Sequence, residues 1–416
     1  MLKQLEHYFG PHVVQGLRAA PLGDHLDSFV ATLAEAGYSR TTVQIRLRLL
    51  AHLGMWLRRT QRTAADVDQR TVEAFLKAYH CRLQAKKGDQ ATLRDFIVHL
   101  QHQGITPVCP ATQPVESPLR ELVQHYESYL QNERGLTAAT VERYSWFIRR
   151  FILQRFHSQP LTLSAINATD VSRFIIKHTH SISPKRAQLM VTALRSFFRF
   201  LVREGETSID LAACVPTVPC RSQSTVPRYI SEREVQQLLT SCDGSTPAGR
   251  RNYAILLLLA RLGLRAGEVA GLQLEDIDWR SGEIRVFGKG QVRDRLPLVR
   301  EVGKALVSYL HDRPGSTSRR VFLRLKAPYR GLSTSGPVSQ MVRRALFRAG
   351  LRPPFTGAHL LRHSLATSLL RQGAPMTEIA ELLRHRSFAT TEIYAKVDSR
   401  SLRALAQPWP QGGGGR

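Results

Sequence analysis

Six residues in the C-terminal half of the chain have side chains suited to chemistry at phosphorus. They are two arginines, two histidines, one lysine and one tyrosine, in the order Arg265, Lys289, His359, Arg362, His385 and Tyr394. A guanidinium can fork onto the oxygens of a phosphate and stabilise negative charge that develops there. An imidazole titrates near neutrality and can move protons. A phenol, with an ordinary pKa of about 10, needs such a cationic pocket before it can attack as a phenolate.

Local sequence patterns place several of these residues at the ends of elements. Arg265 follows an apolar run that Gly263 closes, and it starts a short helix, where backbone N–H groups and the helix dipole favour an anion. Lys289 stands between two glycines, which predicts a tight β-turn. His359 and Arg362 are three residues apart and therefore share one face of a predicted helix.

Two further side chains are predicted to support the site rather than to react. Glu268 lies one turn beyond Arg265 and is placed to orient it. His363 lies four residues after His359, a spacing that zinc-binding helices also use. That zinc motif needs a glutamate after its first histidine, whereas this chain has Leu360 there, so we expect no metal.

The elements that must position these residues are helices and one small sheet. The sequence predicts, in chain order, a helix over 253–262, a hairpin over 277–287, a third strand over 295–298, a helix from 359 to near 373, a helix over 378–383 capped by Thr377, and a last helix from 390. The stretch 377–397 is also compatible with a helix-turn-helix that reads DNA. Ser231 and Glu234 form a capping box near the start of this region.

The chain carries a large excess of positive charge. Its 416 residues include 59 Lys and Arg against 33 Asp and Glu, which gives a formal net charge of +26. Such a field indicates a polyanionic partner. The basic residues are spread along the chain rather than gathered beside an apolar segment, which favours nucleic acid over a membrane. Charge alone leaves open a non-specific basic protein.

Other compositional features indicate the compartment. The five cysteines contain no CxxC pair, which argues against a disulfide framework or a zinc site. The N-terminus lacks the apolar core of a signal peptide, and the longest apolar run is far too short to span a bilayer. We therefore expect a cytoplasmic protein without a metal, a cofactor or a membrane partner.

The first two hundred residues contain an internal repeat. Three pairs of segments correspond, namely 37–43 with 135–141, 72–75 with 171–174, and 93–96 with 194–197. The pairs occur in the same order in both halves, and the number of residues between the two members changes only slightly from pair to pair. This favours duplication of a helical unit of about a hundred residues over chance similarity between amphipathic helices.

These patterns predict a mainly α, multidomain chain, with two helical DNA-binding domains followed by an α+β domain that has a small antiparallel sheet. Clusters of Pro, Ser and Gly mark the linkers. The predicted divisions are an N-terminal helical domain 1–106, a linker 107–117, a second helical domain 118–212, a linker 213–227, the α+β domain 228–406 and a flexible tail 407–416.

Basic residues between the apolar positions of the second helical domain are candidate DNA contacts. They are Arg143, Arg149, Lys185, Arg186 and Arg195. A helix face that is merely solvated would give the same pattern, so the sequence does not separate the two interpretations.

Considered together, the reactive residues and their surroundings resemble the tyrosine recombinase, or phage integrase, family, and in their spacing its Xer-like members. Five segments carry the resemblance in the family's order: 262–269 (LGLRAGEV), 288–290 (GKG), 359–363 (HLLRH), 382–385 (LLRH) and 390–394 (TTEIY). The resemblance covers the whole α+β domain. It extends to residues 118–206, which look like the family's SAM-like core-binding domain.

Two features depart from that family. The family usually has glycine where this chain has Arg384, directly before His385. The segment 1–106 is the larger departure, because it looks like a second copy of the core-binding unit where many relatives have a small arm domain or nothing.

The resemblance implies a division of labour in a reaction that cleaves and rejoins DNA without metal or ATP. Tyr394 would attack phosphorus and form a 3′-phosphotyrosyl link, and Lys289 would protonate the leaving 5′-oxygen. The two arginines would stabilise the developing charge. His359 and His385 would donate hydrogen bonds and handle the tyrosine proton.

The resemblance also implies double-stranded DNA as the partner and a homo-oligomer that forms a dimer on each site and a tetramer in the synapse. The same resemblance implies companion recombinases as partners and a location in the bacterial cytosol or nucleoid. It also implies that the protein serves a mobile element. Two alternatives remain: a type IB topoisomerase, which shares the pocket, and a DNA-binding relative that has lost its chemistry. The second would lack one of the reactive residues, and all six are present.

Overall fold

The described part of the chain is mainly helical and contains one three-stranded antiparallel sheet, which confirms the predicted mainly α class. The computed structural model describes residues 4–107, 118–219 and 227–397, apart from gaps at 82–83, 85–87, 158–159, 289–292, 386 and 388–389. Two compact units are present, of which one joins Met1–Pro107 with Thr225–Arg416 and the other is Val108–Ser224. Within the described ranges, no helix is both long enough and apolar enough to cross a membrane.

The N-terminal segment is a bundle of short helices. Its α-helices are α1 (Pro11–Arg18), α2 (Gly23–Glu35), α3 (Arg40–Arg59), α4 (Gln69–His80) and α5 (Asp89–His102). Helix α3 begins after Ser39, whose hydroxyl oxygen accepts a hydrogen bond from the Thr42 N–H at 3.4 Å. The helices bury one apolar core, in which the rings of Phe29 and Phe96 meet edge to face.

The Val108–Ser224 unit is a second helical bundle. Its α-helices are α6 (Pro118–Asn132), α7 (Ala138–Phe156), α8 (Ala168–Thr179) and α9 (Pro184–Arg203). Helix α8 starts after Asn167, because Asn167 and Asp170 form a reciprocal capping box. Val215 is buried in this core although it falls within the predicted linker 213–227, because the chain after α9 stays packed against the helices.

The two bundles share one order of elements. Helices α2–α5 and α6–α9 correspond one to one, and a glycine in the left-handed region follows the first and the last helix of each set: Gly37, Gly104, Gly135 and Gly205. Val72 and Phe75 are buried in the first set, and their counterparts Val171 and Phe174 are buried in the second. The internal repeat of the sequence therefore has a common helical framework.

The C-terminal part of the first unit carries the sheet. Its α-helices are α10 (Glu232–Thr240), α11 (Pro247–Arg261), α12 (Ala266–Gly271), α13 (Arg300–His311), α14 (Ser335–Arg348), α15 (His359–Arg371) and α16 (Met376–Leu382). The strands are β1 (Ile277–Asp278), β2 (Glu283–Phe287) and β3 (Arg293–Pro297), in the order β1–β2–β3 with Arg285 opposite Arg295. A 3-10 helix over Glu392–Val397 ends the described chain.

Most predicted elements of this part are present with shifted ends. Ser231 and Glu234 form the predicted capping box of α10. Helix α11 starts earlier than predicted, because Thr246 caps it. The prediction that Thr377 caps a helix was wrong: α16 starts at Met376, directly after Pro375, whose side chain makes no cap.

Two apolar clusters stabilise this part. The main core surrounds α11, whose leucines from Leu256 to Leu259 are all buried. A smaller, separate cluster lies between α15, α16 and the final 3-10 helix, and it consists of Ala366, Leu370, Ile379, Leu383 and Tyr394. The nucleophile predicted from the sequence thus belongs to the smaller cluster.

Candidate active site

Arg362 is a buried cation at the start of α15, with 3% of its surface exposed. Its two terminal nitrogens donate hydrogen bonds to the backbone carbonyls of Gly263 and Leu383. Burial, reinforced by the charges of Arg265 and Arg384, lowers the pKa of Arg362 to about 10. The group stays charged at neutral pH and therefore places a fixed positive charge inside the domain.

The turn between α11 and α12 makes this packing possible. Gly263 has a φ of +60°, in the left-handed region that glycine adopts without strain. A Cβ at this position would lie 2.8 Å from Cδ2 of Leu383 and 3.1 Å from Cδ2 of Leu365. Glycine is therefore required both for the turn that leads to Arg265 and for the close contact with these leucines.

Arg265 occupies the N-cap position of α12, as the sequence predicts, and its side chain is 34% exposed. Glu268 accepts hydrogen bonds from the Arg265 backbone N–H at 2.8 Å and from its Nη1 at 2.6 Å. The Nη2 of Arg265 donates to the carbonyl oxygen of Arg384 at 3.2 Å. These bonds fix the guanidinium while a third of the side chain remains accessible.

Glu268 also binds a second arginine. Arg384 donates from Nη2 to Oε2 of Glu268 at 2.7 Å, and both side chains are more than nine-tenths buried. In the sequence, Arg384 stands out only as a departure from the family's usual glycine. The partners are 116 residues apart in the chain, so no local pattern could have revealed the contact.

Tyr394 is buried, with 1% of its surface exposed, and its hydroxyl oxygen lies 2.8 Å from Nδ1 of His363. Burial raises the pKa of the phenol to about 12, although the charge of Arg362 acts in the opposite direction. Burial and the neighbouring His359 lower the pKa of His363 to about 4. At neutral pH the phenol is therefore protonated and donates its hydrogen bond to a neutral imidazole.

His385 is a second imidazole beside Tyr394. Its Nδ1 is 2.7 Å from the hydroxyl oxygen of the buried Thr391, and its ring is parallel to that of Tyr394 with centroids 6.4 Å apart. Burial, followed by the charges of Arg362 and Arg265, lowers the pKa of His385 to about 4. Thr391 thus fixes the orientation of an imidazole that is neutral at pH 7.

Two predicted reactive residues remain, His359 and Lys289. His359 begins α15 and is exposed, and its ring centroid is 6.4 Å from that of His363. Lys289 lies outside the described residues; of the strands that flank it, Phe287 of β2 pairs with Arg293 of β3. The structure brings together the remaining members of the predicted set, namely Arg265, Glu268, Arg362, His363, His385 and Tyr394.

Sequence reasoning underestimated one residue and missed two. It gave His363 a supporting part, whereas His363 is the direct hydrogen-bond partner of the Tyr394 hydroxyl. It gave no part to Thr391, which holds His385, or to Arg384. The position of His363 directly after Arg362 was the signal that could have indicated this direct role.

The pocket is strongly positive. The guanidinium groups of Arg265 and Arg384 share the buried carboxylate of Glu268, and Arg362 bonds only to carbonyl oxygens among the contacts described above. This leaves unbalanced positive charge that can stabilise a phosphate. Across the described ranges, no group of three His, Cys, Asp or Glu side chains is placed to hold a metal ion.

The candidate DNA contacts of the Val108–Ser224 unit fall into three kinds. Arg143, Lys185 and Arg186 are exposed around a concave surface beside Trp146. Arg149 is exposed but pairs with Glu127 at 3.2 Å. Arg195 donates from Nη2 to the carbonyl oxygens of Val215 and Pro216, each at 3.0 Å, so its guanidinium holds the chain that follows α9.

Two family models match this chain. The model for the phage integrase family matches residues 228–400, and the model for the phage integrase N-terminal SAM-like domain matches residues 123–205. The first match contains all six predicted reactive residues, and the second runs from within α6 to just past the end of α9.

Relatives extend the similarity along almost the whole chain. The protein named integrase/recombinase y4rA of Sinorhizobium fredii is 40% identical over 392 residues, covering 94% of this chain and 95% of that protein. The tyrosine recombinase XerD of Listeria innocua is 31% identical over 68% of this chain and 97% of its own. Among solved structures, the XerH site-specific recombinase bound to palindromic difH substrate shares the fold, with a TM-score of 0.53 and 21% identity over 81% of this chain and 94% of that one.

Proposed function

The chain belongs to the phage integrase family and is a tyrosine-type site-specific DNA recombinase, and we propose that Tyr394 is its nucleophile. The observation that carries this proposal is the hydrogen bond between the Tyr394 hydroxyl and His363, next to the buried guanidinium of Arg362. This arrangement gives the phenol a proton acceptor and gives the phosphate a fixed positive charge.

In the cleavage step, the hydroxyl oxygen of Tyr394 bonds to phosphorus while the bond from phosphorus to the 5′-oxygen breaks. The phenol proton passes to a neutral histidine, and His363 Nδ1 is already at hydrogen-bond distance. Lys289 supplies the proton that the leaving 5′-oxygen takes up. The products are a 3′-phosphotyrosyl link and a free 5′-hydroxyl.

The arginines stabilise the charge that develops on the non-bridging oxygens during this step. Arg362 contributes a buried charge whose position is fixed by two carbonyl oxygens, and Arg265 contributes a partly exposed guanidinium held by Glu268. His385, oriented by Thr391, donates a further hydrogen bond to the phosphate. The exposed His359, at the start of α15, donates another to the same phosphate.

Rejoining is the same step in reverse, with the 5′-hydroxyl of another strand as the nucleophile. Each transfer exchanges one phosphorus–oxygen bond for another, so the reaction needs neither ATP nor a metal ion. The charge of +26 supports duplex DNA as the substrate, and binding that neutralises many phosphates is strongly salt-dependent.

Strand exchange between two sites requires more than one active site. We therefore infer a homo-oligomer, with a dimer on each site and a tetramer in the synapse, and companion recombinases as further partners. The N-terminal helical bundle in Met1–Pro107 supports recognition of DNA beyond a minimal site, which favours service to a mobile element.

Covalent capture tests the nucleophile and the reaction class together. Wild type and Tyr394→Phe would be incubated with nicked duplexes tiled across the DNA that flanks the gene, then denatured and separated by gel electrophoresis. We expect a DNA-shifted protein band with wild type and none with Tyr394→Phe. Tyr126→Phe is the matched control, because Tyr126 is equally buried but lies in the core of the other unit.

Other outcomes separate the alternatives. An adduct that persists in Tyr394→Phe assigns the nucleophile to another residue. Salt-sensitive binding without any adduct, on duplexes that span the whole flanking region, indicates a chemically silent DNA-binding relative. Relaxation of supercoiled DNA by a monomer, without strand exchange, indicates a type IB topoisomerase.

A further inference from the structure

Arg384 adopts a backbone conformation that side chains rarely occupy. Its φ is +53°, in the left-handed region where a Cβ is strained and glycine is favoured. The side chain is nevertheless 93% buried, since only 7% of it is exposed. Two of its guanidinium nitrogens, Nε and Nη1, are buried without a hydrogen-bond partner. A strained backbone and an incompletely paired buried charge at one position point to a role beyond folding.

The contacts of Arg384 connect two separate elements of the active site. Its Nη2 donates to Oε2 of Glu268 at 2.7 Å, and its Nε lies 3.7 Å from Oδ2 of Asp294. Its backbone carbonyl accepts from Nη2 of Arg265 at 3.2 Å. The same residue thus contacts the arginine of α12, the carboxylate that holds this arginine, and a carboxylate on β3.

The contact with Glu268 changes the charge that a bound phosphate meets. Glu268 by itself would neutralise Arg265, because Oε1 accepts from Nη1 of that arginine at 2.6 Å. Arg384 shares the same carboxylate from the other oxygen, so the three groups together carry a net positive charge. Burial and the charges of Arg362, Arg265 and His363 have larger effects, but the charge of Arg384 also lowers the pKa of the adjacent His385.

The contact with Asp294 acts on the other side of the site. Asp294 lies on β3 opposite Val286 of β2, one residue from the end of the paired hairpin. The segment between these strands contains Lys289, the predicted proton donor. The ion pair between Arg384 and Asp294 therefore fixes the turn end of the β2–β3 hairpin relative to Glu268 and Arg265.

We propose that Arg384 is a positioning residue for strand cleavage, which joins the hairpin at Asp294 to the Arg265–Glu268 pair and keeps the phosphate pocket positive. This proposal rests on the proposed function, because it concerns the same reaction. A positioning role can be distinguished from a structural one, because glycine relieves the backbone strain at this position. Arg384→Gly therefore preserves the fold while it slows the chemistry.

The test measures the rate of adduct formation under single-turnover conditions, together with DNA affinity and Tm, on the full chain with the nicked duplexes described above. For Arg384→Gly we expect cleavage to be slower by roughly tenfold to a hundredfold, because small displacements of catalytic groups have effects of that size. DNA affinity is expected to be unchanged and Tm equal or higher. Gln61→Gly is the matched control, because Gln61 has the same backbone conformation (φ +52°) in the N-terminal bundle.

Two further variants separate a positioning role of the Arg384 side chain from mere filling of space. Arg384→Lys retains the charge and is expected to recover part of the cleavage rate. Asp294→Asn is expected to slow cleavage, and the double variant with Arg384→Gly should be no slower than Arg384→Gly, because both changes remove the same connection. Cleavage by Arg384→Gly at the wild-type rate would overturn the proposal. A joint loss of Tm and cleavage that Arg384→Lys does not recover would also overturn it, in favour of a structural role.

A readout without DNA keeps this proposal separate from the function on which it rests. The pKa of His385, followed by NMR titration of labelled histidines, is expected to rise in Arg384→Gly and to be unchanged in Gln61→Gly. If wild type forms no adduct but His385 shifts as expected, the proposed function fails and the electrostatic role of Arg384 stands. If the adduct forms but His385 does not shift and cleavage is unaffected, only the inference about Arg384 fails.

Discussion

The hydroxyl oxygen of Tyr394 and Nδ1 of His363 are 2.8 Å apart, and burial moves their proton affinities in opposite directions. The pKa of the phenol is raised to about 12, whereas the pKa of the imidazole is lowered to about 4. In the unbound protein the proton therefore stays on the tyrosine. Proton transfer becomes favourable only when phosphorus begins to take the oxygen's electrons, which couples deprotonation to attack.

Replacement of His363 tests whether it accepts this proton. Glutamine can accept a hydrogen bond from the Tyr394 hydroxyl but cannot take its proton, so we expect His363→Gln to slow cleavage by about 10²–10⁴-fold with little change in stability. His363→Phe leaves the buried hydroxyl without a partner and should also lower the free energy of unfolding by about 1–3 kcal/mol. Single-turnover cleavage and urea denaturation measure the two effects. A wild-type rate in His363→Gln would assign the proton to another group.

Acid should destabilise the folded protein through the histidines of this pocket. Both His363 and His385 have a pKa of about 4 when folded, below the ordinary histidine value of about 6.5 in the unfolded chain. Between these values the unfolded chain binds protons that the folded protein does not, so the free energy of unfolding decreases as the pH falls from about 6.5 to about 4.

Variants isolate this effect from other titrating groups. The pKa values of His99 and His178 are also lowered by burial, so wild type alone cannot assign the pH dependence. We expect Tm to fall less steeply over this pH window in His363→Gln than in wild type, measured by calorimetry at matched ionic strength. Equal slopes in the two proteins would contradict the lowered pKa of His363.

The two arginines of the pocket should respond differently to replacement by lysine. In Arg362→Lys, one ammonium group cannot reproduce the bonds to both the Gly263 and Leu383 carbonyls, so we expect a loss of about 1–3 kcal/mol in stability. Cleavage should also fall, by about 10²–10³-fold. Arg265→Lys should lower cleavage with a stability change of less than about 1 kcal/mol, because its side chain is partly exposed. Equal stability losses in both variants would contradict this division.

The basic residues of the Val108–Ser224 unit should also divide into two groups. Lys185→Ala removes an exposed charge, and if Lys185 contacts phosphate, the slope of log affinity against log salt concentration decreases by about one. Arg195→Ala instead removes bonds to the Val215 and Pro216 carbonyls and should lower stability by about 1–2 kcal/mol with the salt slope unchanged. Salt titrations of binding together with thermal melts would reveal a reversal of these roles.

Local signals predicted the fold class and the elements that carry the site. Gly263 ends α11 and Arg265 starts α12 because the turn and the cap are encoded within a few residues. The β1–β2 hairpin and the third strand were predicted for the same reason, although β3 starts two residues earlier than expected. Thr377 was assigned as a cap because its type favours that position, but the chain turns into α16 directly after Pro375.

Contacts between distant residues could not be predicted in this way. The histidine that contacts Tyr394 is determined by how the final 3-10 helix packs against α15. Two histidines of α15, His359 and His363, lie one helical turn apart, so the sequence does not distinguish them. The burial of Arg384 against Glu268 depends on a left-handed φ at a residue type that rarely adopts it. Arg195 resembles the exposed arginines of its helix in sequence, and only the packing of residues 215–216 distinguishes it.

The small cluster that holds Tyr394 has a consequence for how the molecule opens. Four buried residues separate from the main core surround Tyr394, and such a satellite cluster opens at a lower free energy than the core around α11. We expect the backbone amides of Glu392–Val397 to exchange with solvent well before those of α11. Loss of the tyrosine from its pocket would then be a local and reversible fluctuation rather than unfolding, so the same protein could be chemically inert in solution and ready to react once DNA restrains that segment.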